Sequence, residues 1–165
     1  MIEKVSSRER ETLRALAQRV QAIAAFPEQR IRVRLWQALN DLHPERPMIL
    51  AYPEGGWRDL IPETSLQCES PLLRGWEMSL RRCIYQFENV GDDHPVTDYF
   101  NIGWVVELGD YGFSNETIRT DALGAFTWKP PIMNVGDVKK LHGRTVKINR
   151  EETRRRLDLA QEIFG

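Results

Sequence analysis

"RPMILAYPEGGWRDLIPE", Arg46–Glu63, is the stretch on which the reading of this chain turns. Met48–Ala51 is a short apolar run with the length and character of a buried strand. It leads at once into Pro53, Glu54, Gly55, Gly56, Trp57 and Arg58. A strand that exits through two glycines and then presents an acid, an indole and a guanidinium is either an ordinary turn or the rim of a site. Glycines let a backbone approach a ligand closely.

Upstream, Ser6 and Glu9 have the spacing of a capping box. Leu13, Leu16, Ala17, Val20, Ile23 and Ala24 follow at helical intervals, so a helix is expected to about Ala25. Pro27 suits the first turn of a second helix, with Ile31, Leu35, Leu39 and Leu42 along one face and Trp36 and Ala38 beside it. Pro44 and Pro47 close this pair. Residues 1–45 are therefore expected as a helical hairpin, followed by a β/α region over residues 46–165, the two forming one compact domain.

Downstream, Ser70-Pro71 opens a helix expected to reach about Asn89, burying Leu72, Leu73, Trp76, Leu80, Cys83, Ile84 and Phe87. "HPVTDYFNIGWVVEL", His94–Leu108, has the β-branched and aromatic content of an extended segment. Residues 109–131 are rich in turn formers and are expected as loop with short extended pieces. Gly143–Ile148 reads as a strand, and Asn149 with Glu152 as a second capping box opening a helix to Phe164. This order of elements points to an α/β or α+β chain.

The bulk properties narrow the function classes. A chain of 165 residues fits one domain and can bury roughly 70% of its unfolded surface. Its 41% hydrophobic and 28% charged content is that of an ordinary globular protein. A net charge of −1 favours neither nucleic acid nor a membrane surface. The apolar runs fall short of the roughly 20 residues a spanning helix needs, and the charged N-terminus has no signal-peptide core. Two cysteines, Cys68 and Cys83, argue against a disulfide framework. A cytoplasmic protein without nucleic-acid or membrane partners is expected.

Chemistry-bearing motifs are sparse. His43, His94 and His142 have no metal-ligand spacing with the cysteines, so no metal site is expected. There is no nucleophile elbow, phosphate loop or dinucleotide fingerprint. Arg74, Arg81, Arg82 and Arg154–Arg156 read as solvated faces paired with Glu77, Glu151 and Glu152. Asp92 and Asp93 sit where carboxylates oppose a helix dipole. Asp98, a carboxylate inside an otherwise apolar extended run, is either turned to solvent or held at a strand end for function.

"RLWQALNDLHPERPMILAYPEGGWRDLIPE" (Arg34–Glu63) and "CESPLLRGWEMSLRRCIYQFENVGDDHPVTDYFNI" (Cys68–Ile102) resemble the N-terminal region of the uroporphyrinogen decarboxylase superfamily. The likeness is closest to its decarboxylase-like branch, near the corrinoid-dependent methyltransferases. It covers most of the chain, from about Glu11 to Gly165, and less than half of what that family usually contains. The resemblance implies the front part of a (β/α)8 barrel preceded by N-terminal helices. It implies a lyase of porphyrin metabolism or a methyltransferase in the whole protein, with this chain alone inactive. By the same resemblance Arg58 matches an arginine that meets a propionate carboxylate. Glu54 stands where the family carries another, which argues against uroporphyrinogen itself as the substrate.

Asp98 lies where the decarboxylases carry the aspartate that stabilises charge on a protonated pyrrole. The expected site is thus Asp98 as the catalytic group, with Glu54, Trp57 and Arg58 binding substrate. No cofactor is expected within this chain; the methyltransferase branch would bring a zinc and a corrinoid partner to the whole protein. The remaining expected partners are the rest of the barrel or another copy of the chain. The alternative is a stand-alone α/β interaction module without catalysis.

One geometric expectation follows. If Met48–Ala51 and Val96–Ile102 are parallel neighbours joined by the helix after Pro71, their C-terminal ends coincide. Arg58 and Asp98 then lie on one rim within about 15 Å, roughly three strand spacings.

Overall fold

In the computed structural model, residues 5–114, 116–119 and 125–165 are described. The chain is mixed α/β, helix-rich with two small sheets. It divides into two units, Met1–Asn101 with Leu159–Gly165, and Ile102–Asp158.

In the first unit, α1 (Ser7–Ala24) begins on the expected box: Ser6 Oγ accepts the Glu9 N–H at 3.2 Å and the Glu9 carboxylate accepts the Ser6 N–H at 3.0 Å. Leu13, Val20 and Ile23 are buried where α1 lies along α4 (Pro71–Tyr85). Leu73, Trp76 and Leu80 answer from α4. Trp76, Phe100 and Phe164 form an aromatic cluster with ring centroids 4.9–6.0 Å apart. Such rings add to the area they bury through edge and offset contacts.

The second helix, α2 (Pro27–Asn40), buries Leu35 of the expected face but is rotated away from the rest of it. Ile31 is 51% exposed and Leu42 84%. The side chains buried on α2 are Gln29, Arg32 and Leu35. Polar anchors set this rotation. Arg32 donates to the His94 carbonyl at 2.9 Å and its guanidinium lies over the Phe87 ring, while the Gln29 side-chain Oε1 accepts the Val96 N–H at 2.8 Å. Trp36 is half-buried, its indole N–H bonded to the Asp93 carbonyl at 2.8 Å.

After α4 the chain widens into one π-helical turn, Gln86–Val90, and leaves it through Gly91 in the left-handed region at φ 66°. The two strands expected on either side of α4 do not form. Met48–Ala51 has no strand partner, and Val96–Ile102 is irregular with only Val96 buried. Between them Trp57–Leu60 is a single helical turn, α3.

In the second unit, β1 (Val106–Leu108) pairs antiparallel with β4 (Val146–Ile148), the latter inside the strand expected at Gly143–Ile148. The hairpin β2 (Glu116–Arg119) and β3 (Phe126–Lys129) pairs Glu116 with Lys129 and Arg119 with Phe126. Gly112 has φ 96°, and a Cβ there would stand 2.1 Å from the Lys140 carbonyl, so the turn requires glycine.

Helix α5 (Arg150–Phe164) starts in the second unit and ends in the first. Asn149 caps it by accepting the Glu152 N–H at 2.9 Å. The reciprocal half of the expected box is replaced: Asn149 N–H donates to the Val105 carbonyl, and the Glu152 carboxylate is occupied by Arg155 and Arg156. Every strand pairing among the described residues is antiparallel. The parallel β/α arrangement expected of a barrel front is therefore absent among them.

Candidate functional site

The apolar run Met48–Ala51 is held by carboxylates in the place where a neighbouring strand was expected. Asp93 accepts the Ile49 N–H at 2.9 Å and returns its own N–H to the Ile49 carbonyl at 2.9 Å. Two residues on, the Asp92 carboxylate accepts the Ala51 N–H at 2.9 Å, and Gln86 Nε2 donates both to the Ala51 carbonyl and to Asp92. Arg46 closes the arrangement with two bonds to the Asp93 carboxylate. That guanidinium, then the Ile49 N–H, holds the Asp93 carboxyl well below the usual range. Asp92 and Asp93 lie past Gly91, beyond the helix end, and bond a backbone rather than oppose a helix dipole.

Two further buried carboxylates do similar work. Glu77 on α4 accepts N–H bonds from Gln67 and Cys68 and is paired with Arg81 at 2.8 Å. Burial pushes its carboxyl up, but the Cys68 and Gln67 N–H groups and Arg81 outweigh it and hold it below the ordinary value. Glu9, beyond its capping role, accepts the Glu69 N–H at 3.0 Å. Burial and the neighbouring Glu77 push the Cys68 thiol up to about 12, so it is an inert core thiol. Sequence reading passed over Glu9, Asp92 and Asp93 as site-builders. Their one visible signal was acids beside segments short of backbone partners.

The expected site residues are distributed as follows. Glu54 is exposed and takes the strained left-handed conformation, φ 47°, while its neighbour Gly56 has an ordinary φ of −65°. A Cβ at Gly55 or Gly56 would meet atoms no nearer than 3.7 Å, so the chain's own packing does not demand either glycine. Trp57 is half-buried, edge-on to Tyr85 at 5.9 Å, with the Arg82 guanidinium 5.4 Å above its ring. Arg58 is exposed and reaches the Gly55 carbonyl at 3.4 Å.

Asp98 is exposed on the wall of a cavity of ≈ 650 Å³, together with Arg14, Ser79, Cys83, His94 and Tyr99. Arg14 is turned aside there, donating to the Ile163 carbonyl at the end of α5 at 2.7 Å. The cavity wall includes none of Glu54, Trp57 or Arg58. A shared rim needs Met48–Ala51 and Val96–Ile102 as parallel strands, and neither segment is a strand. Among the described residues no group of three or more His, Cys, Asp or Glu is arranged to hold a metal ion, and no helix is long and apolar enough to cross a membrane.

No protein-family model, curated protein or solved structure matches this chain.

The second unit carries an open apolar surface. In the β1–β4 register, Val106 faces Ile148 and Leu108 faces Val146, which puts all four side chains on one face. They are 39–63% exposed. The opposite face carries Glu107 paired with Lys147 at 3.3 Å. Trp104, Trp128, Met133 and Val135 are also exposed, and no described residue from Ile102 to Asp158 is buried.

Proposed function

We propose that this chain is the front part of a uroporphyrinogen decarboxylase-like protein, a scaffold half that is catalytically silent by itself. In that reading further polypeptide covers the second unit. Asp98, with Glu54, Trp57 and Arg58, contributes to a substrate site completed by that polypeptide. The observation that carries the reading is the amphipathic β1–β4 ribbon, apolar on one face and ion-paired on the other. A surface of this kind is built to be covered: soluble domains rarely leave contiguous apolar patches open, and a two-stranded ribbon is marginal without packing.

The reaction in the whole protein is decarboxylation of a tetrapyrrole-like substrate or corrinoid-linked methyl transfer. For the second of these a zinc would activate the methyl acceptor, supplied by residues outside this chain. The exposed Asp98, which has no ion-pair partner among the described residues, suits charge stabilisation in the first. The second reading is an interaction module without catalysis, favoured by the same exposed ribbon.

The deciding experiment is the mass of the natural polypeptide that carries this sequence, followed by assay of both forms. A longer polypeptide that decarboxylates a porphyrinogen or transfers a methyl group, and loses that activity in Asp98→Asn, supports the first reading. A natural polypeptide of this length with neither activity refutes it.

A further inference from the structure

The strap Met48–Tyr52 has two edges, and only one of them is used. Ile49 and Ala51 direct their N–H and C=O groups to Asp92, Asp93 and Gln86. Bonding through every second residue to one side is the alternation of an extended chain. The intervening residues, Met48, Leu50 and Tyr52, then turn theirs the opposite way, and no described residue partners any of those groups. The side chains along the strap are apolar and open, with Ile49 and Tyr52 each 65% exposed. Pro47 and Pro53 bound the segment, so five residues form the free edge.

From this geometry we infer that Met48–Tyr52 is a β-augmentation edge, and that its occupant is the same segment of a second copy of the chain. An unpaired apolar edge is a template for another strand. Antiparallel pairing about Leu50 sets Leu50 against Leu50 of the second copy and Met48 against its Tyr52. That makes about six backbone hydrogen bonds across a two-fold axis. Charge selects this edge over the others. The strap has no charged residue between its prolines, so its symmetric pairing opposes no like charges. Symmetric pairing of β1 would set Glu107 against Glu107, and that of β4 Lys147 against Lys147, both unfavourable. The carboxylate latch contributes by holding the strap extended before the partner arrives, which reduces the ordering cost of association.

This inference is independent of the family reading, which stands or falls on the mass and activity of the natural polypeptide. Its test is sedimentation velocity of the intact chain over rising concentration, with Leu50→Pro and Leu50→Lys beside the wild type. Leu50→Pro removes an outward N–H and leaves the inward bonds of Ile49 and Ala51 in place; Leu50→Lys keeps the N–H and sets like charges across the axis. The expected result is a concentration-dependent wild-type dimer, with dimerisation weakened at least about tenfold in both variants. Amide exchange should show Met48, Leu50 and Tyr52 protected in the dimer only, with Ile49 and Ala51 protected in every folded variant. A wild type that stays monomeric at the highest soluble concentration overturns the inference. So does a dimer that survives both substitutions and is lost in Val146→Lys, which would place the contact on the β1–β4 ribbon.

Discussion

Ile49 and Asp93 are joined in both directions: the Ile49 N–H reaches the Asp93 carboxylate at 2.9 Å, and the Asp93 N–H reaches the Ile49 carbonyl at 2.9 Å. One side chain and one peptide group thus reproduce half a strand pairing. The apolar run that looks like a barrel strand is extended for this reason, without belonging to a sheet.

Asp92→Ala should loosen the strap. It leaves the Ala51 N–H without its acceptor and removes one of the two bonds of Gln86 Nε2. The expected cost is about 1–3 kcal/mol. Urea unfolding measures it, and unchanged stability with unchanged amide exchange at Ala51 would show that the latch contributes nothing.

Glu77→Ala should be more severe. The Glu77 side chain is fully buried and gathers the Gln67 and Cys68 N–H groups as well as Arg81. Removing it orphans two donors and a guanidinium together, at a cost of about 3–5 kcal/mol. A thermal melt within a degree or two of wild type would contradict this.

Acid should unfold the first unit through these carboxylates. Asp93, Glu9 and Glu77 are all held below their ordinary values, so their ionised forms favour the folded state. Their contribution is complete above the unfolded values, about 3.9 for Asp and 4.3 for Glu, and is lost as pH falls through the lower folded values. The urea midpoint should therefore be level from neutral pH to about 5 and fall steeply below about 4. Asp93→Asn should flatten that fall, and equal slopes in variant and wild type would exclude Asp93 as a contributor.

The tryptophans should separate. Trp76 is buried against Phe100 and Phe164, so Trp76→Ala should cost about 3–5 kcal/mol. Trp36 is half-buried and holds the Asp93 carbonyl through its indole N–H, so Trp36→Phe should cost only about 1 kcal/mol, the worth of that bond. Equal losses in the two variants would show that Trp36 packs as heavily as Trp76.

At the exit from the strap, Glu54→Gly should stabilise the chain by roughly 0.5–1 kcal/mol, because a non-glycine residue there sits in the left-handed region. Gly55→Ala and Gly56→Ala should be close to neutral, since neither added Cβ meets a close atom. A strong loss in either alanine variant would restore the glycines to a structural role.

The helices were legible because their determinants are local. The Ser6–Glu9 box, Pro27 in a first turn, Ser70-Pro71 and the Asn149 cap all act within four residues. Of the side chains that face inward on α2, only Leu35 was legible. Gln29 and Arg32 are drawn in by the Val96 N–H and the His94 carbonyl, groups more than 60 residues away in the chain. Of the expected site, sequence reading found residues with exposed chemistry, Asp98 and Arg58, but had no means to bring them together without the strands it assumed.

By itself, then, the sequence determined where α1, α2, α4 and α5 begin, because their caps and first-turn prolines act locally. Only the tertiary structure decided what the extended runs bond to. An apolar tetrapeptide such as Met48–Ala51 needs partners for its N–H and C=O groups, and its composition does not say whether they come from a strand or from carboxylates more than 40 residues downstream. Hydrogen-bond demand is local, and its satisfaction is not.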